Sequence, residues 1–402
     1  MQTVCCFWIK NLRGLKMNSI QEMNIEGRYY RTGLKTVIKV CKGLITEVVE
    51  SNADGSNELP YIAPGLVDIQ INGFKGINFN TDDLNDEDMV NITRSLLEKG
   101  VTSYCPTIIT NSVETTTKIL DVMNKALNYH RFLADSMIGV HLEGPFISPV
   151  DGPRGAHPRE FVVPPNWDIF KQLYESSGRR VKLLTMSPEW TNSSEFIRNV
   201  VNLGIKVAIG HTSASSNAIA EAALAGATLS THLGNGTHLS LPRHPNYIWD
   251  QLSNDDLWAS MIVDGFHLPE SVVKVVLRVK QDKAFLVSDS VYLAGLSPGR
   301  YQTHIGGQVI LSPEGRLYVD NQPKLLAGAA KSLKEGVEYL VHHQICSLSE
   351  AWDLASTKPA KFMGMPASNG ISIGDPADCC RSVSLSGNER LFLTKSDVSR
   401  RQ

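Results

Sequence analysis

The sequence predicts a (β/α)8 barrel with a small β-sandwich domain built from the chain ends. Three observations point to it. From Tyr61 onward, short apolar runs alternate with longer amphipathic stretches, as parallel βα units require. Eight such runs can be counted, the number that closes a barrel. Polar side chains able to bind a metal or move a proton recur at the C-terminal ends of those runs, the rim on which a barrel gathers its functional groups.

Residues 1–60 are expected to form the N-terminal part of the small β domain. Within them, TVIKVCKGLITEVV (36–49) reads as two strands about a Lys42-Gly43 turn, and 52–60 as a polar loop. The barrel is expected over 61–360. Its candidate strands are 62–71, 102–109, 137–143, 182–187, 206–211, 228–233, 258–264 and 284–289. Helices are expected at 83–99, stopped by Gly100, at 214–225 before Gly226, and at 269–280, opened by Pro269 and Glu270. The sixth connection, 234–257, holds Pro242, Pro245 and several Gly and Asn, and reads as a long functional loop. After the eighth strand come a strand pair within 306–319 and helices near 328–343 and 349–356. Residues 361–402 are assigned to the C-terminal part of the small domain. From Cys379 they are polar, without a clear period, and read as a loose tail.

The chain of 402 residues, 42% of them hydrophobic, is long enough for one large core and a smaller second domain. Lysine and arginine total 39 against 41 acids, a net charge of −2 that predicts neither a nucleic-acid nor a membrane partner. Seven cysteines form no disulfide or zinc-knuckle pattern, which predicts reduced thiols in a cytoplasmic protein. The first twenty residues carry Lys10, Arg13 and Lys16 and no acid. They read either as a targeting segment or as an extension with Met17 as an alternative start.

The chemistry lies at the strand ends. Gln70 and Asn72 follow the first strand, His141 and Glu143 the third, His211 the fifth and His232 the sixth. Asp264 and His267 follow the seventh, and Asp289 the eighth. Taken singly, a histidine at a strand end is more often structural than a ligand, and a carboxylate there can cap a helix. Together, Glu143, His211 and His232 make a three-ligand set suited to a divalent ion of borderline softness, with a position open for water. Zinc is the first expectation, with Fe2+, Co2+ or Mn2+ as alternatives. Asp289 faces the set as a candidate acid/base that takes a proton from water and returns it to a leaving nitrogen.

The segments VHLEGPFIS, RGAH, GHTSAS, STHLGN, VDGFH and VSDS occur in this order, after an opening PGLVDIQING. In these the chain resembles the N-acetylglucosamine-6-phosphate deacetylases of the amidohydrolase superfamily, from about Pro60 to Asp378. The resemblance implies metal ligation by Glu143, His211 and His232 and acid/base catalysis by Asp289. It implies that His157 contacts substrate near the acetyl group and that Asn235, with the backbone at Gly236, holds the sugar phosphate. Arg243 and His267 match the phosphate-side arginine and histidine. In such enzymes the arginine reaches across a dimer interface, so a homodimer acting on a small amino-sugar phosphate is implied.

Three departures qualify what is implied. Many amidohydrolases carry a His-x-His pair on the first strand; Gln70 and Asn72 stand there instead, and neutral amides predict one metal ion per chain rather than two. The loop HLGNGTHLSLPRHPN differs from the commoner Tyr/Phe-Asn-Ala-Met version, which leaves N-acetylgalactosamine 6-phosphate or a cyclic amide as alternative substrates. The continuation CCRSVSLSGNERLF lacks the hydrophobic strands that usually complete the sandwich, which predicts an incomplete C-terminal side. A non-catalytic barrel homologue is the rival from another class. It has no physical need for all four of Glu143, His211, His232 and Asp289.

Overall fold

The computed structural model describes residues 22–52, 59–303, 307–377, 379–383 and 392–393. The candidate targeting segment lies outside them. The described chain forms two compact units. One gathers the described parts of 1–68, 93–103 and 333–402; the other comprises those of 69–92 and 104–332.

In the first unit the expected hairpin is present as Lys35–Cys41 paired antiparallel with Leu44–Ser51. Lys42 and Gly43 both have positive φ, 51° and 79°, the backbone that a two-residue turn needs to match the strand twist. Alternation sends Ile38, Val40 and Ile45 inward, where they pack with Ile25, Ile62 and Ala377. Trp352, on the Leu348–Ala355 helix, is fully buried and donates from Nε1 to the Pro64 carbonyl at 2.8 Å. The sheet has six strands, in the order 392–393, 379–383, 61–64, 22–29, 35–41 and 44–51. The stretch from Cys379, expected as a loose tail, therefore contributes strands: Cys379–Val383 runs antiparallel to Tyr61–Pro64. Strand pairing is made by backbone N–H and C=O groups and needs no side-chain period, which is why polarity alone misread it. The rest of the tail lies outside the described residues.

Eight strands form a parallel barrel sheet: β1 (Leu66–Ile71), β2 (Val101–Ile109), β3 (Val140–Glu143), β4 (Val181–Met186), β5 (Lys206–Ile209), β6 (Ala227–Ser230), β7 (Trp258–Ile262) and β8 (Ala284–Val287). Their order in space follows their order in sequence. The two edges meet just past β8 and at the end of β1, where Asp289 N–H donates to the Gln70 carbonyl (2.9 Å) and Asn72 N–H to the Ser290 carbonyl (2.8 Å). The sixth and seventh strands stop at Ser230 and Ile262, earlier than their apolar runs suggested. His232 and Asp264 thus lie past the strand ends, on the rim.

The predicted helices appear as Asp86–Glu98, Ser216–Leu224 and Glu270–Lys280. The sixth connection is irregular through Asn246, whose side chain caps a short helix, Tyr247–Ser253, by accepting from the Ile248 and Trp249 amides. The expected strand pair after β8 is a four-stranded antiparallel meander: Gly299–Thr303, Gly307–Leu311, Leu317–Val319 and Gln322–Leu326. Its outer strands, GRYQT and QPKLL, are largely exposed and carry no alternating pattern for sequence reading to detect. No helix among the described residues is long and apolar enough to cross a membrane. Cys41, Cys105 and Cys346 are free thiols.

Candidate active site

The fold brings Glu143, His211 and His232 together at the barrel mouth. Glu143 Oε1 lies 3.3 Å from His211 Nε2 and 3.1 Å from His232 Nε2, and the two Nε2 atoms are 3.0 Å apart. All three side chains are buried. A tetrahedral ion with bonds of about 2.0–2.1 Å sets its ligand atoms about 3.4 Å apart, so the three separations are those of one face of a coordination tetrahedron, slightly contracted.

The protonation of His211 also fits a ligand. Its Nδ1 lies 2.9 Å from the Pro153 carbonyl, which can only accept, so Nδ1 carries the proton and the Nε2 lone pair faces Glu143. Gly236, at φ 58°, lies against this imidazole: a Cβ there would come within 2.8 Å of Nδ1. Gly155 flanks the ring as well, with a would-be Cβ 3.4 Å away. His232 is held differently. Its backbone N–H donates to Ser260 Oγ at 2.7 Å, its ring meets His211 edge to face, and its Nδ1 has no partner among the described residues. His211, His232 and Asp289 all take positive φ, 48°, 30° and 47°. This backbone costs a non-glycine residue about 1–2 kcal/mol, and its recurrence at three strand ends is the mark of a site built against local preference.

Burial would raise the Glu143 carboxyl, but the two imidazoles beside it outweigh burial and hold the group well below its usual range. Burial opposes a charge on His232 too, and Glu143 overcomes it, so this imidazole sits above its ordinary value. Asp289 behaves oppositely: burial, then repulsion from Glu143, pushes its carboxyl up to about 6. Two carboxyls of one rim are thus driven apart, one firmly ionised and the other able to gain and lose a proton near neutrality. Asn72 Nδ2 donates to Asp289 Oδ1 at 2.7 Å.

His157 lies in the same cluster. One ligand atom each from Glu143, His157 and His211 falls within 4.8 Å of the others. Its Nδ1, however, accepts the Thr110 backbone N–H at 3.3 Å and lies 2.9 Å from Thr110 Oγ1. The remaining nitrogen, Nε2, therefore carries the proton of a neutral ring, and burial pushes the imidazole down to about 3. A neutral ring with Nε2–H is a hydrogen-bond donor rather than a metal ligand.

The other expected residues are more dispersed. Asn235 donates from its side chain to the His232 carbonyl at 3.3 Å. His267 Nδ1 is paired with Asp264 Oδ2 at 2.7 Å, and Asp264 also accepts the Phe266 and His267 amides. Arg243 is exposed on the irregular sixth connection. Three partners escaped sequence reading. Thr110 stands just past β2 and had a signal, being a polar residue at a strand end like the others. Pro153 acts through its carbonyl and Gly155 through its lack of a side chain, and neither leaves a chemical mark in the sequence.

The Amidohydrolase family model matches residues 61–380. The N-acetylglucosamine-6-phosphate deacetylase of Bos taurus is 32% identical over 329 residues, 79% of this chain and 78% of its own. That of Bacillus subtilis is 31% identical over 337 residues, 83% and 82% of the two chains. The crystal structure of N-acetylglucosamine-6-phosphate deacetylase from Pasteurella multocida superposes with a TM-score of 0.80, covering 92% of this chain and 97% of that one at 24% identity.

Proposed function

Since the chain belongs to the amidohydrolase family, and within it to the N-acetylglucosamine-6-phosphate deacetylases, we propose that it hydrolyses N-acetylglucosamine 6-phosphate to glucosamine 6-phosphate and acetate. The observation that carries this reading is the convergence of Glu143, His211 and His232 within 3.3 Å of one another, on the rim that also bears Asp289.

Glu143, His211 and His232 would hold one divalent ion, with zinc favoured by two imidazoles and a carboxylate. When bound, such an ion supplies Lewis acidity that polarises the amide carbonyl and makes water more acidic. Asp289 accepts the proton of the attacking water and returns it to the nitrogen as the C–N bond breaks. Its raised pKa suits both halves of that cycle. His157, neutral with a proton on Nε2, donates to the carbonyl oxygen as negative charge develops there. Asn235 and the backbone at Gly236 hold the sugar. Arg243 and His267 take the phosphate, with Asp264 orienting the His267 ring. A cytoplasmic homodimer, with Arg243 serving the neighbouring subunit, completes the reading.

Acetate release across a panel of N-acetyl sugars, with and without phosphate, tests it. The expected result is highest kcat/KM on N-acetylglucosamine 6-phosphate. Preference for N-acetylgalactosamine 6-phosphate would move the substrate to the other epimer, and no release from any of them would reject the activity.

A further inference from the structure

We propose that Gln70 and Asn72, the two amides at the end of β1, are positioning residues that each lock one carboxylate of the site. Gln70 acts on Glu143 and Asn72 on Asp289. Gln70 is buried and its orientation is fixed at both ends: Nε2 donates to Glu143 Oε1 at 2.8 Å, and Oε1 accepts from Thr231 Oγ1 at 2.9 Å. The oxygen it holds is the one that faces both His211 and His232. Asn72 Nδ2 donates to Asp289 Oδ1 at 2.7 Å and lies 3.4 Å from the Asp289 carbonyl. Both partners are acceptors, so the amide cannot be flipped without facing oxygen to oxygen.

Two features separate this from ordinary packing. Asn72 occupies one oxygen of Asp289, and among the described residues no protein donor is bonded to Oδ2, which stays available for proton transfer. Asn72 Oδ1 is itself buried with no hydrogen-bond partner among the described residues. A residue present only for stability would gain nothing by burying an unpaired carbonyl, whereas a donor on substrate or water would satisfy it. The neutral amides do this without adding charge: each donates to a carboxylate and leaves the net charge of the site unchanged.

The inference rests on the roles given above to Glu143 and Asp289, and its test separates the two amides by what each acts through. Leucine preserves approximate size and removes both donor and acceptor. Asn72→Leu is expected to lower kcat about 10–100-fold with KM within about twofold, and with metal affinity, measured by chelator competition, unchanged. Gln70→Leu is expected to weaken metal affinity about 10–100-fold, the range for loss of a ligand's supporting hydrogen bond. Asn72→Ala and Gln70→Ala, which leave room for water, repeat the comparison should either leucine variant fail to fold. Equal falls in metal affinity, kcat and thermal stability in both variants would make the amides merely structural. An Asn72 variant with kcat within twofold of wild type would overturn the proposal directly. Asp289→Asn run alongside distinguishes the failures: if that variant keeps turnover, the acid/base assignment is at fault rather than the positioning.

Discussion

At the scale of single residues, the site drives two carboxyls to opposite protonation behaviour. Glu143 is ionised by its imidazole neighbours, while burial and the Glu143 charge push Asp289 up to about 6. Below that value Asp289 carries its own proton and cannot accept another, so kcat/KM is expected to fall about tenfold per pH unit on the acid side. A bound cation favours the ionised carboxylate and moves the limb down, so the limb is expected at or below about pH 6. A pH profile with its acid limb above 7 would assign proton transfer to another group. His211 supplies a second expectation. Its imidazole is seated against Gly236, where a Cβ would come within 2.8 Å of Nδ1. Gly236→Ala should displace the ring from the Pro153 carbonyl and weaken metal affinity by about tenfold or more, read by chelator competition with the circular dichroism spectrum unchanged. Undiminished affinity would mean that the loop yields rather than the ring. Glu143, His211, His232 and Asp289 were legible in the sequence because each is a chemically distinctive residue ending an apolar run. The Thr110 contact that fixes the His157 proton was missed: Thr110 is a polar residue at a strand end like the others, but a hydroxyl is not chemically distinctive until the fold sets it beside a ring.

At the scale of elements, the barrel strands were legible from alternation alone, whereas their ends were not. Apolarity runs past the ends of β6 and β7, because residues on a barrel rim are still buried. The sixth connection was legible as irregular, but what anchors its end was not. Lys280, at the end of the Glu270–Lys280 helix, is buried and donates through Nζ to the carbonyls of Gln251, Asn254 and Leu257 at 2.7, 2.7 and 2.9 Å. One ammonium thus closes the C-terminal end of the Tyr247–Ser253 helix and the turn after it. A lysine in the last turn of an amphipathic helix suggests a solvated side chain, and only the fold shows the three carbonyls converging on it. Lys280→Met keeps the length and removes every donor. It is expected to cost about 2–4 kcal/mol of stability in urea unfolding, by leaving buried carbonyls unpaired. A loss under about 1 kcal/mol would mean that water reaches them.

At the scale of the whole molecule, the question is what a chain with a net charge of only −2 uses to select a phosphorylated substrate. No general field favours a dianion, so selection must be local. Arg243 and His267 are the groups proposed for it. A guanidinium can grip phosphate with two parallel hydrogen bonds, and His267, already held by Asp264, can add another. Each charge-assisted contact is worth about 1.5–3 kcal/mol. Arg243→Ala should therefore lower kcat/KM on the 6-phosphate by about one to two decades and leave the unphosphorylated sugar nearly unaffected. Equal losses on both sugars would make Arg243 structural. The exposure of Arg243 on the sixth connection adds a second question, namely whose site it serves. A homodimer in which it serves the neighbour makes a prediction that no single-chain arrangement shares. Arg243→Ala and Asp289→Asn chains, each nearly inactive on the phosphorylated sugar, are mixed and allowed to exchange subunits. If the arginine acts across the interface, the mixed dimer holds one site with Asp289 from one chain and Arg243 from the other, and activity returns toward half that of the wild-type dimer. If it acts within its own chain, every site in the mixture lacks one of the two groups, and no activity is recovered at any mixing ratio.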